Sequence, residues 1–448
     1  RKYDLQGPRY TSYPTAVEFS ENFSEDDYRQ AAQDSVASGR PLSLYFHIPF
    51  CARLCYYCAC NKIITKRREK AEPYLQRLYR EIAWQAEHFA SGRTVEQLHW
   101  GGGTPTFISP EQMRELMQVT REHFNLRDDD NGDYSIELDP REVTDETLET
   151  LRDIGFNRVS LGVQDFEEKV QQAVNRIQSR ELTLSVLNKA RELGFRSINL
   201  DLIYGLPFQT PESFARTVDT VLEFAPDRLS VFNYAHLPQR FMPQRRINAG
   251  DLPPPRDKLI ILEQTIEKLV DAGYVFIGMD HFAKADDELA LAQARGELHR
   301  NFQGYTTHGN CDLVAMGVSS ISMLDRHYYQ NYHEMEGYEA AMDEGRTPIK
   351  RGVMLNDDDV LRRAVIMQLI CNFRLEKARI ESEFDIRFDD YFARELAVLS
   401  DMQEDGLVTL TDDAIQIHDS GRLLIRGICK TFDAYLPQTQ QKNFSRII

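Results

Sequence analysis

The chain has 448 residues, and its 53 Lys and Arg against 70 Asp and Glu give a formal charge of −17 at pH 7, which argues against nonspecific binding to nucleic acid or anionic membranes. The length exceeds that at which one hydrophobic core stops growing, so a large domain with at least one smaller companion is expected. No leading apolar stretch resembles a signal peptide and no run is apolar enough to span a bilayer, so a soluble, cytoplasmic protein without integral membrane segment is expected. Asn22-Phe-Ser24 and Asn443-Phe-Ser445 fit a glycosylation pattern, but short matches of this kind arise by chance.

In chain order, residues 1–40 read as an arm, with Gly7-Pro-Arg-Tyr-Thr-Ser-Tyr-Pro14 too rich in turn formers for a helix, followed by a helix near 25–38. From residue 43, short β-branched runs alternate with longer amphipathic stretches, the pattern of parallel strands joined by crossover helices. Strands are expected at 43–50, 95–100, 134–139, 158–164, 197–205, 228–235 and 274–281. Helices are expected at 71–90, 109–123, 144–155, 181–194, 211–224 and 255–273. Gly194 and Gly273 fall just past helix ends, while Thr144 and Ser109-Pro110 supply starts. Residues 246–255 and 285–297 read as surface connections. Beyond about residue 350, helices at 360–371, 377–384 and 391–404 and a hairpin of 408–410 with 415–417 indicate a mainly helical domain with a short winged element. Three regions result: an arm and helix at 1–40, a catalytic barrel with extensions at 41–350, and a C-terminal domain at 351–448.

Six or seven βα units in series indicate an α/β fold built as a full or partial barrel, in which chemistry sits at the C-terminal ends of the strands. Four of the seven cysteines, Cys51, Cys55, Cys58 and Cys60, follow the first strand within ten residues. The C-x3-C-x2-C spacing suits three corners of a 4Fe-4S cluster, for which thiolate is the usual ligand. Zinc more often takes two separated cysteine pairs, and the bunching is unlike a secreted disulfide framework. Cys311, Cys371 and Cys429 read as small buried residues.

Other polar groups end the remaining strands. Gly101-Gly-Gly-Thr104 is either a tight turn or a backbone left open to a charged, methionine-like ligand. Glu137 and Asp201 are carboxylates suited to ribose hydroxyls, Gln164 is a neutral donor or acceptor, and Arg176 has the planar fork that grips a carboxylate. Helix capping and ordinary ion pairing explain each of them equally well when taken singly.

The trio Cys51, Cys55 and Cys58, with Tyr57 before the third cysteine, resembles the radical S-adenosylmethionine enzymes. The surrounding text is similar to the oxygen-independent coproporphyrinogen III oxidase family: Gly7-Pro-Arg-Tyr-Thr-Ser-Tyr-Pro-Thr15, Tyr45-Phe-His-Ile-Pro-Phe-Cys51, Cys58-Ala-Cys-Asn61, His99-Trp-Gly-Gly-Gly-Thr-Pro105, Gly162-Val-Gln-Asp165, Asp201-Leu-Ile-Tyr-Gly-Leu-Pro207, Phe232-Asn-Tyr-Ala-His-Leu-Pro238 and His299-Arg-Asn-Phe-Gln-Gly-Tyr305. The resemblance runs from the arm to the last residues. It implies a partial TIM-like (β/α)6 barrel with an N-terminal arm and a mainly helical C-terminal domain. It further implies conversion of two propionates of coproporphyrinogen III to the vinyl groups of protoporphyrinogen IX, with loss of two carbon dioxide molecules, through a 5′-deoxyadenosyl radical in haem biosynthesis.

By the same resemblance Cys51, Cys55 and Cys58 are the cluster ligands. Tyr57, Gly103, Thr104, Gln164, Arg176, Asp201 and Ala235 match contacts of a cluster-bound S-adenosylmethionine, and Tyr45, Gly102, Glu137 and Ile321 match those of a second molecule. Cys60 matches a fourth family cysteine outside the ligand trio, with a supporting role. Ala59 stands where the family often has glycine, which removes no ligand. The implied partners are coproporphyrinogen III, a low-potential electron donor and a terminal electron acceptor, with no nucleic acid, and a monomer is expected. Arg9, Arg53 and Arg300 are candidates for the substrate carboxylates, against the bland reading of solvated charges. The alternative function is a haem-binding chaperone of the same superfamily, whose members typically carry an aromatic residue at the Cys60 position and lack the Gly7-to-Thr15 arm.

Overall fold

The computed structural model describes residues 7–436; Asn443 and the ends of the first and last predicted regions lie outside them. Two compact units emerge, one of residues 20–274 with 310–353, the other of residues 7–19, 275–309 and 354–436.

The larger unit carries six parallel strands, β1 (Leu42–Ile48), β2 (Thr94–Gly102), β3 (Asp133–Leu138), β4 (Arg158–Gln164), β5 (Ser197–Tyr204) and β6 (Arg228–Asn233), paired in that order. The free side of β1 pairs in parallel with Asp312–Met316, which leads antiparallel into Ile321–Met323 and His327–Asn331. The βα series is thus a partial barrel extended by a meander beyond β1. Apolar β1 is buried along nearly its whole length, as a parallel strand covered on both faces must be. Crossover helices Ala71–Phe89, Pro110–His123, Asp145–Asp153, Arg180–Glu192 and Pro211–Phe224 return the chain between strands. Several start as their sequences dictate: Ser109, Thr144 and Thr210 each close a capping box, and Pro110 and Pro211 take first-turn positions.

Two features of the predicted strands differ. The first stops at Ile48 because Pro49 has no N–H to continue the ladder, and the chain resumes as Phe50–Cys51, paired with Ile63–Ile64. The seventh splits into Tyr274–Gly278 and His281–Lys284, since Gly278 and Met279 adopt φ of 130° and 53°, a turn that a continuous strand forbids.

Glu81, on the inner face of helix Ala71–Phe89, accepts hydrogen bonds from the Gly317 N–H (2.8 Å), Asn331 Nδ2 (2.7 Å) and the Tyr338 hydroxyl (2.6 Å). Burial nevertheless pushes its carboxyl from 4.5 up to about 7. A carboxyl raised in the folded chain stabilises below its unfolded value, and that stabilisation is lost as pH rises through about 7. Chemical denaturation of Glu81→Gln is expected to lack a pH-dependent component of about 3 kcal/mol between pH 4.5 and 7.

The smaller unit packs helices Asp357–Asn372, Lys377–Phe384, Ala393–Glu404 and Ile425–Lys430 around one core that also takes in Tyr10 and Tyr13 of the arm. The Tyr10 hydroxyl donates to Asp433 (2.9 Å), and Arg426 Nε donates to the Pro8 carbonyl (3.0 Å). The winged element gains a third strand, Arg374–Glu376, beside Ala414–Ile417. The helix expected over 391–404 breaks at Phe392, whose ring is fully buried. Within 285–297, read as a surface connection, Asp287 caps helix Glu288–Ala294, which buries Leu289, Ala290 and Ala292 in this core.

Candidate cluster and cofactor site

Register brings the ends of the first two strands level, with His47 opposite Gly101 and Ile48 opposite Gly102. The cysteine loop therefore leaves β1 beside the glycine turn that ends β2. Thr104 N–H donates to the Phe50 carbonyl (2.8 Å) and Thr65 N–H to the Cys51 carbonyl (2.9 Å), which pins the loop at both ends. Cys51 and Cys55 are buried, Cys58 is half-buried and Cys60 exposed, and all seven cysteines are free thiols. Lys62 Nζ donates to the Cys58 and Cys60 carbonyls, each at 3.2 Å. Burial pushes the Cys51 thiol up to about 12, whereas a hydrogen bond from Cys60 draws the Cys58 thiol down to about 6.

Donors are aimed at the other two candidate ligand sulfurs as well. The Thr104 hydroxyl lies 3.4 Å from Cys51 Sγ. Cys55 Sγ receives Arg141 Nη2 at 3.4 Å and Arg176 Nη1 at 3.5 Å. Both arginines are buried and share Asp139, at 2.6 Å from Arg141 and 3.2 Å from Arg176. Burial alone would raise the Asp139 carboxyl, but the two guanidinium groups hold it at about 2. Arg176 is thus engaged with protein groups, and Arg141, which sequence reasoning missed, is its partner. Nothing in the pattern Asp139-Pro-Arg141 signals a reach to a cysteine 86 residues away.

The glycine turn serves the protein's own packing. A β-carbon on Gly103 would lie 2.8 Å from the Pro49 and Phe50 backbone, and one on Gly102, whose φ is +122°, would lie 2.9 Å from the His47 ring. The absent side chains let the end of β2 press against the segment carrying Cys51. Gly103→Ala is therefore expected to lower iron content per chain at a stability cost of about 1–3 kcal/mol, checked by iron analysis alongside thermal unfolding.

Across this turn Tyr45 stacks on His99 with ring centroids 5.8 Å apart, and its hydroxyl meets His47 Nδ1 at 3.1 Å. His99 reaches Glu137 Oε1 at 3.4 Å, and the Gly102 N–H donates to Glu137 Oε2 at 3.3 Å. Burial works to raise the Glu137 carboxyl, but the hydrogen bonds from His99 and the Gly102 N–H, with the charges of His99 and His47, together outweigh it and hold it below its usual value. Tyr45, Gly102 and Glu137 therefore form one group, joined by His47 and His99, which were quoted in sequence motifs without a role. Ile321 stands apart from it, two strands beyond β1.

Gln164 ends β4 at a bulge with φ of +72°, and its Oε1 is buried without a hydrogen-bond partner. Asn233 Oδ1, at the end of β6, is likewise unpartnered. Asp201 accepts from Ser160 (2.9 Å) and Asn199 (2.8 Å), and burial pushes its carboxyl up to about 6. Tyr57 packs against the small core of Val170, Leu206, Tyr234 and Ile247, and Ala235, which follows Tyr234 in the chain, is exposed in the segment after β6.

Among the described residues no three Cys, His, Asp or Glu side chains converge on one ion-sized point; a cluster asks for a different spacing, with each thiolate on its own iron. Soft sulfur ligands with N–H and O–H donors turned toward them fit such a cluster. The orphaned acceptors of Gln164 and Asn233 fit an incoming donor such as an amino group.

Residues 45–221 match the model of the Radical SAM superfamily, and residues 355–424 match that of the HemN C-terminal domain. Proteins called oxygen-independent coproporphyrinogen III oxidase from Pseudomonas aeruginosa and Escherichia coli are 59% and 55% identical to this chain, covering all of it and 97% of each relative. The relative from Synechocystis is 45% identical with the same coverage. A solved structure titled "Coproporphyrinogen III oxidase (HemN) from Escherichia coli is a Radical SAM enzyme" superposes with a TM-score of 0.93 at 53% identity, covering 96% of this chain and 100% of that one. Identity of this order from end to end, on the same fold, establishes that the chain belongs to the oxygen-independent coproporphyrinogen III oxidase family of radical S-adenosylmethionine enzymes.

Proposed function

We propose that the chain is a radical S-adenosylmethionine oxidoreductase that oxidatively decarboxylates two propionates of coproporphyrinogen III, giving protoporphyrinogen IX without oxygen. The observation that carries this reading is the full-length identity of 59% and 55% to enzymes of that name, on a barrel whose three-cysteine loop is braced by buried arginines. Cys51, Cys55 and Cys58 are assigned as the ligands of a 4Fe-4S cluster. Together with S-adenosylmethionine the cluster supplies, when bound, a carbon-centred oxidant able to take hydrogen from a propionate β-carbon.

The chain's own contribution is placement. Arg141 and Arg176 fix Cys55 and offset the negative charge of its thiolate. Asp201 is assigned to ribose hydroxyls and Gln164 to an amino group, with Tyr57, Gly103, Thr104 and Ala235 completing a first S-adenosylmethionine site. Tyr45, Gly102, Glu137 and Ile321 are assigned to a second. Arg176 is assigned to the same first site as a contact, while also bracing Cys55 and Asp139. Cys60, held beside Cys58 by Lys62, is given a supporting role. A low-potential reductant, a separate electron acceptor and a cytoplasmic setting complete the proposal; among the described residues no helix is long and apolar enough to cross a membrane.

Anaerobic incubation with coproporphyrinogen III, reductant and S-adenosylmethionine tests it. The expected product carries two vinyl groups and has lost two carbon dioxide molecules and four hydrogen atoms. Haem binding without turnover would instead identify the chaperone.

A further inference from the structure

The described arginines most deeply buried are Arg93, Arg158, Arg176, Arg300 and Arg426. Arg93 pairs with Asp312, Arg158 with Asp133 and Arg176 with Asp139, while Arg426 donates to the Pro8 and Gly7 carbonyls. Arg300 is the exception. It lies in the hairpin His299–Asn301 with Gly304–Thr306, opposite Tyr305, and is 5% exposed. Its guanidinium sits 4.8 Å from the centroid of the Tyr305 ring. Nε and Nη1 are both buried without a hydrogen-bond partner, and so is Nε2 of Gln303 on the same hairpin.

Taking a cation out of water without a counter-ion costs far more than a neighbouring aromatic ring returns. The orphaned atoms are all donors, so they call for an acceptor with negative charge rather than for a second cation or an apolar group. Of the other arginines considered for substrate carboxylates, Arg9 already sits on Asp280, and exposed Arg53 on Glu142 at 3.4 Å. Arg300 alone of the three lacks a carboxylate.

We propose that Arg300 is an anion receptor that takes a carboxylate, and that in turnover this is a propionate of the tetracarboxylate substrate. The second clause rests on the functional reading above. The methionine carboxylate of S-adenosylmethionine has the same chemistry, and the test separates the two. Full-length protein reconstituted without oxygen is titrated with coproporphyrin III, with its tetramethyl ester, and with S-adenosylmethionine.

Arg300→Met is expected to weaken coproporphyrin III binding about 10- to 100-fold, to leave the ester and S-adenosylmethionine unaffected, and to unfold no earlier than the unsubstituted protein when ligand-free. Arg300→Lys, which keeps the charge, is expected to recover part of the affinity. Unchanged coproporphyrin III binding by Arg300→Met, an equal loss for the ester, a loss confined to S-adenosylmethionine, or a ligand-free protein that unfolds earlier would each overturn the substrate assignment. If the unsubstituted enzyme forms the divinyl product while Arg300→Met binds coproporphyrin III normally, only this inference falls. If the unsubstituted enzyme forms no product, the functional reading fails and takes the substrate assignment with it.

Discussion

Alanine at Cys51, Cys55 or Cys58 is expected to abolish both iron–sulfur absorption and vinyl formation, whereas Cys60→Ala is expected to keep the cluster. The loop geometry explains the contrast. Cys51 is fixed by the Phe50–Cys51 pairing, and Cys55 is buried under two arginines; Cys60 is exposed and tied only through its neighbours. Losing one of three thiolates leaves too few corners held. Thr104→Val and Arg141→Met keep every ligand and remove one donor to sulfur, so a loss of about 10- to 100-fold in cluster retention or turnover is expected. Iron and sulfide analysis with electron spin resonance checks the series; a Cys55→Ala protein with a normal cluster would remove the assignment.

Asp139→Asn carries the largest expected loss of stability, about 3–5 kcal/mol by urea denaturation, because it leaves Arg141 and Arg176 buried together without a negative charge. The double variant Asp139→Asn, Arg141→Met is expected to recover part of that loss by removing one stranded cation. The pH dependence has a defined sign. Asp139 titrates at about 2 in the folded chain against an ordinary 3.8, so its contribution is present above about pH 4. It drains away as pH falls from 3.8 through 2, about 2 kcal/mol in all. Denaturation midpoints across that window should fall more steeply for the unsubstituted protein than for Asp139→Asn.

The barrel was legible because its strands announce themselves. Arg158–Gln164 is strand throughout, as expected, and Pro211–Phe224 is helix from the proline after Thr210 to the residue before Ala225, which turns left-handed. Runs buried on both faces read as continuous apolar segments. The cysteine loop was legible from spacing alone. What holds it was not. Arg141 meets Cys55, and Arg176 meets Asp139, only because parallel crossovers stack strand ends that are distant in sequence. The helix Glu288–Ala294 was overlooked because the charges around it outweighed a visible signal, Asp287 ahead of Leu289, Ala290 and Ala292. Gln164 was named as a candidate, but its positive φ comes from a bulge that no residue type there announces.

The bond from Tyr10 to Asp433 joins residues 423 positions apart. At synthesis rates of about 5–20 residues per second, roughly 20–85 s separate their emergence from the ribosome. For that interval the aromatic side chains of Tyr10 and Tyr13 lack the part of their core supplied by Ile425, Ile428 and Phe432. The segment around Tyr10 is thus among the last parts to settle, and a message cut short before Asp433 would leave it permanently unhoused and open to proteolysis.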